Sequence, residues 1–89
     1  MSEKTLTARL GERLDIQPEA RLEGPRITIS GDERVLIEGH RGLLEYSDER
    51  IAAARRNGRI LVKGESLRLA AMTERELLIL GRLWSVEFE

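Results

Sequence analysis

Polar and apolar positions follow two different periods along this chain. In residues 3–14, Leu6, Leu10 and Leu14 recur at four-residue spacing, with Arg9, Glu12 and Arg13 on other faces, which predicts an amphipathic helix. Gly11 weakens that helix by about 1 kcal/mol relative to alanine. Asp15-Ile16-Gln17-Pro18-Glu19 ends it, because proline cannot continue a helix and restrains the residue before it. Residues 15–25 then read as a connection closing on Gly24-Pro25. From Arg26 the period becomes two: Ile27 and Ile29 point one way, Thr28 and Ser30 the other, as in a half-buried strand. Further strands are predicted over residues 35–38 and 43–46. Gly31-Asp32-Glu33 and Gly39-His40-Arg41-Gly42 are the turns between them, and such short links favour antiparallel hairpins.

The next stretch predicts a short helix. Ser47 is a good N-cap, Asp48 and Glu49 suit the positive helix end, Arg55 and Arg56 the negative one, and Asn57-Gly58 supplies a left-handed stop. Ile51 and Ala54 give it a thin apolar face, fit to cover an edge of a sheet. Strands follow over residues 59–63, 67–72, 77–80 and 83–88, with Thr73-Glu74-Arg75-Glu76 as a polar turn.

Two phrases recur in the same order. Arg26-Ile27-Thr28-Ile29-Ser30-Gly31-Asp32 returns as Arg59-Ile60-Leu61-Val62-Lys63-Gly64-Glu65, and Leu36-Ile37-Glu38-Gly39 as Leu78-Ile79-Leu80-Gly81. The second spacing exceeds the first by about one strand, placed at residues 67–72. The expected fold is mainly β: a small antiparallel β-sandwich or flattened barrel from two pseudo-repeated units, about 26–46 and 59–88. An N-terminal helix and linker (1–24) precede this β domain (25–89), and one short helix lies between the repeats.

At 89 residues the chain holds one small domain. With only three aromatics (Tyr46, Trp84 and Phe88), its core must be aliphatic. The absence of cysteine removes disulfides, thiolate chemistry and Cys-ligated zinc, and fits a reducing compartment. No apolar run reaches the roughly 20 residues that span a bilayer, and Ser2-Glu3-Lys4-Thr5 lacks a signal peptide's layout, so a cytoplasmic location is expected. A net charge of −1 gives no global field toward nucleic acid or acidic lipid.

Candidate chemistry is sparse. His40, the only histidine, has no second histidine or cysteine to complete a metal site or a catalytic pair, so a structural or solvent-exposed turn residue is expected. The carboxylates fall in turns or outward positions, with no pair implied across a cleft. No phosphate loop or nucleophile elbow is present. No catalytic residue, metal ligand or cofactor is therefore assigned. Arg50, Arg55, Arg56 and Arg59 form the one local basic cluster, an alternative nucleic-acid or anionic-lipid site that lacks interleaved aromatics and is diluted by Asp48 and Glu49. Trp84, Val86 and Phe88 share one face of the last strand, where core is the default. On an edge, Trp84 would be an interface anchor. The Leu6/Leu10/Leu14 stripe is a second candidate interaction surface, for its own domain or a partner.

The order of these motifs resembles the YabP/YqfC family of sporulation proteins. The pattern G-x-L-x-I-x-G-x-x-L-x-I, then L-x-I-x-G-x-I-x-x-I-x-F, covers residues 58–88, while Pro25-Arg26-Ile27-Thr28 and His40-Arg41-Gly42 extend the match to about residue 25. The Ile16-Gln17-Pro18-Glu19 break is similar to the YqfC branch. The resemblance implies a non-enzymatic protein of the mother cell, needed for spore maturation at the cortex and coat stages. It also implies a membrane protein partner of the YqfD or YabQ type, with membrane association through that partner. As an interaction module, the chain would use its N-terminal helix or an exposed sheet edge to bind that partner or, as a homo-oligomer, itself. It supplies no catalytic or ligand residue.

Overall fold

The computed structural model describes residues 24–89, and the predicted helix over residues 3–14 lies outside them. The described residues form six strands: β1 (Arg26–Ser30), β2 (Arg34–Glu38), β3 (Leu43–Tyr46), β4 (Arg50–Arg55), β5 (Gly58–Met72) and β6 (Glu76–Phe88). They make one antiparallel sheet of order β1-β2-β6-β5-β4-β3. This corrects the expected sandwich or barrel, since there is a single sheet, open at β1 and β3.

The difference arises at two glycines. Residues 59–63 and 67–72, predicted as separate strands, are one strand, as are 77–80 and 83–88. Both long strands bend at the same level instead of reversing. Ser66 takes φ 55° and Gly81 φ 143°, and the β5–β6 register slips between Glu65 and Arg68. A Cβ on Gly64 would collide with the Arg82 carbonyl oxygen, and one on Gly81 would sit 2.7 Å from that of Ser66. The backbones can approach here only without side chains. Two turns seat on the bend: Asp48 and Glu49 carbonyls accept from Leu67 and Gly64 (2.8 and 3.0 Å), and Asp32 and Glu33 carbonyls from Leu83 and Gly81 (2.8 and 3.2 Å).

No helix occurs among the described residues; the one predicted after Ser47 is β4. The local signals were physically real but served a hairpin. Ser47 Oγ accepts from the amides of Glu49 (3.2 Å) and Arg50 (2.9 Å), as an N-cap would, while Ser47 N donates to Arg50 O and closes a turn. Asn57, at φ 65°, turns the β4–β5 hairpin closed by the Arg55–Gly58 pair. Between these turns Ile51, Ala52 and Ala53 are all buried, so both faces of β4 are covered and alanine's helix propensity is overridden.

The two copies of the first recurring phrase occupy unlike places, and those of the second lie in neighbouring interior strands, β2 and β6. Arg26–Ser30 is an edge strand, whereas its later counterpart is half of a central one. The symmetry visible in the strand order instead relates hairpin β1-β2 to β3-β4 and β5 to β6. The core joins both halves of the sheet: Val35 and Ile37 from β2, Ile51 and Ala53 from β4, Ile60, Val62 and Leu67 from β5, and Leu77 and Ile79 from β6. Each large aliphatic side chain buried this way contributes about 1.5–3 kcal/mol.

Candidate interaction surface

Past the bend, β6 changes neighbours. β2 pairs only with residues 76–80 of β6, while β5 continues to Phe88. Residues 85–88 therefore have β5 on one side and no described strand on the other. Arg59 and Glu89 exchange both backbone hydrogen bonds (2.8 and 2.9 Å). In an antiparallel ladder such pairs alternate, so the peptide groups of Val86 and Phe88 point away from β5, toward the open side.

Trp84 stands at the head of this edge. The register runs from Lys63–Ser85 to Gly64–Leu83, leaving Trp84 without a partner as a bulge residue. The bulge breaks the expected alternation: Leu83 and Val86 pack on the core, while Trp84 is 65% exposed and Phe88 60%. A hollow of about 230 Å³ lies beside it, lined by Ile29, Gly31, Asp32 and residues 83–86. Ile29, itself 53% exposed, adds apolar surface from β1. Three large apolar side chains thus surround an unpaired strand edge. The sequence singled out Trp84 and placed Phe88 with it in a stripe expected in the core, where the structure leaves Phe88 exposed, and it did not point to Ile29. The recognisable signal for Ile29 was its position beside a glycine turn at the end of a short strand.

The arginine cluster is brought together but largely engaged. Arg50 Nε donates to Glu45 (2.9 Å), and Arg59 meets Glu45 at 3.7 Å and Glu89 at 2.6 Å. Glu45, by hydrogen bond and charge, pushes the Arg50 pKa further up. Arg55 lies 5.4 Å over the Phe88 ring and donates to the Glu89 carbonyl (3.2 Å). Arg56 is exposed in the hairpin turn. Arg50, Arg59 and their acids belong to a face where Lys63 also meets Glu87 (3.4 Å), while Arg55 lies on the opposite, core side with Phe88.

His40 is buried and structural. Its Nδ1 accepts from Gly42 N (2.9 Å), which fixes the neutral tautomer whose Nε2–H donates to the Thr73 carbonyl (3.1 Å). It forms one wall of an open hollow of about 560 Å³ with Arg41, Leu43, Met72 and Glu74, yet both ring nitrogens are used in joining two turns. No cluster of metal-ligating side chains occurs among the described residues, and no helix there is long and apolar enough to cross a membrane. Leu6, Leu10 and Leu14 lie outside the described residues.

Comparison with known proteins matches residues 22–89 to the YabP family. The chain is 30% identical over 83 residues to the uncharacterized protein YqfC of Bacillus subtilis (strain 168), covering 93% of this chain and 89% of that one. No solved structure matches. The motif order over residues 25–88 and these two matches agree, and the chain belongs to the YabP/YqfC family.

Proposed function

We propose that this protein is a non-enzymatic interaction module of the sporulating mother cell, acting in spore maturation at the cortex and coat stages. Its partner is a membrane protein of the YqfD or YabQ type, which would hold this chain at the membrane. The reading of sporulation rests on family membership. The reading of interaction rests on one observation, an exposed Trp84 at the head of an unpaired β6 edge. An extended segment of the partner adds as a strand beside residues 85–88, bonding to the outward peptide groups of Val86 and Phe88. Trp84 then anchors it, as tryptophan does at the centres of binding surfaces. The nucleic-acid or lipid reading of the arginine cluster is weaker, because Arg50 and Arg59 already face Glu45 and Glu89.

The test is genetic. In an endospore-forming host lacking its own copy, heat-resistant spores should fall and the wild-type chain should restore them. A Trp84→Ala chain, accumulating normally, should not, and should no longer co-purify with the membrane partner. Normal spores without the gene would overturn the sporulation role, and full rescue by Trp84→Ala would overturn the edge.

A further inference from the structure

The sheet's outer surface differs between its two halves. Around β4 and the first half of β5, ionic side chains are paired with one another: Arg50 and Arg59 with Glu45, Arg59 with Glu89, Lys63 with Glu87. Around β2 they are not. Because Val35, Ile37, Leu77 and Ile79 point into the core, the pleat sends Arg34, Leu36, Glu38, Glu76, Leu78 and Leu80 to the opposite face. The register arranges them in rows across the strands. One row reads Ser30, Arg34, Leu80 and Arg68, the next Thr28, Leu36, Leu78 and Ala71, and the third Arg26, Glu38 and Glu76. None of Arg34, Arg68, Glu38 and Glu76 has an ion-pair partner among the described residues. Glu38 and Glu76 stand directly opposite one another, with Arg26 on the far side of Glu38 as the one cross-strand cation for two carboxylates.

This face has a basic end, an apolar middle and an end where Glu38 and Glu76 outweigh Arg26, and such a surface is complementary to itself, with Arg26 of one copy falling over the neutral Ser30 of the other. We infer that it is an isologous contact between two copies of this chain. A two-fold axis along the Leu36–Leu78 row lays the basic row of one copy over the acidic row of the other. Arg34 then faces Glu38 of the second copy. Glu76 of that copy descends over Leu80, between Arg34 and Arg68, where each copy has a hollow of about 410 Å³ lined by Glu33, Arg34, Arg68, Leu80 and Gly81. Packed sheets lie about 10 Å apart, a gap that an arginine and a glutamate reaching toward each other can close. The leucines of the two middle rows meet at the axis. The face covers four strands and five residues, about 19 Å by 17 Å. Stable interfaces bury about 800 Å² per partner, so this association is weak, concentration-dependent and salt-sensitive.

Charge reversal distinguishes this contact from any other. The full chain is followed by sedimentation velocity from micromolar to millimolar concentration, with melting temperatures verifying the fold of each variant. Arg34→Glu alone and Glu38→Arg alone should each raise the dimer dissociation constant at least tenfold, since each puts like charges opposite. An equimolar mixture of the two single variants should form a heterodimer within about threefold of wild-type affinity, and the double variant R34E/E38R should dimerise by itself. A wild-type chain that stays monomeric to millimolar concentration overturns the inference, as when another segment or another protein covers the face. So do single variants that associate as wild type, or a mixture that fails to pair. The β6 edge lies elsewhere, so Trp84→Ala should leave this dimer intact.

Discussion

At the scale of single residues, backbone crowding decides more than side-chain chemistry. Gly81 combines φ 143° with neighbours that leave no room for a methyl group: Ser66 O at 2.7 Å and Leu67 Cα at 2.8 Å from an added Cβ. Gly31 has a positive φ of 58° but open space around it. Gly31→Ala should therefore lose only the left-handed penalty of about 1–2 kcal/mol. Gly81→Ala adds a backbone clash at the bend and should cost about 3 kcal/mol or more, the range for a strained backbone with overpacking. Urea denaturation of the two variants measures the difference, and equal losses would mean that the bend does not depend on close approach. His40 shows the same economy in a polar group. Both nitrogens of this buried ring are committed to backbone partners in two turns, which explains a lone histidine without catalysis.

At the scale of elements, most strands were legible because alternation is a local property. Ile27, Val35 and Ile37 point to the core side as period two demands, and the glycine and Thr73 turns fall where expected. Two features were not local. Capping chemistry is the same for a hydroxyl starting a helix and one closing a hairpin, so Ser47 could not distinguish them. The burial of β4 on both faces decided the outcome, and it comes from strands distant in sequence. Likewise the exposure of Trp84 follows from a mismatch of residue count between β5 and β6, visible only once the two strands are in register. A helix with Ile51 and Ala54 as its apolar face would tolerate lysine at position 52. In β4, Ala52 is buried opposite Leu61, so Ala52→Lys should destabilise by about 2 kcal/mol or more, by burying a charge. Thermal melting of this variant decides between them, and a neutral effect would favour the helix.

At the scale of the whole molecule, the sheet concentrates its ion pairs around β4 and the first half of β5, and this gives its stability a pH dependence. Leu61 and Ala52 lie under a lattice of arginines, Lys63 and glutamates that are each only part-buried, so individual pairs contribute little and act as a network. Glu87 is the member whose titration matters. The Ser85 hydroxyl, at 2.9 Å, and then Lys63 hold its carboxyl below the ordinary glutamate range. A depressed folded-state pKa means that the unfolded chain takes up the proton first. The contribution of Glu87 is therefore complete above the unfolded pKa and drains away as pH falls through the folded one. Glu87→Gln should lower the urea midpoint at neutral pH, and the gap from wild type should close through the acid range, since both side chains are then neutral. The same gap should shrink with added salt at neutral pH, because the group is exposed enough to be screened. A gap that stays constant from neutral to acid pH would assign the role of Glu87 to packing. The ion-pair lattice would then be a consequence of the fold rather than one of the interactions that hold it.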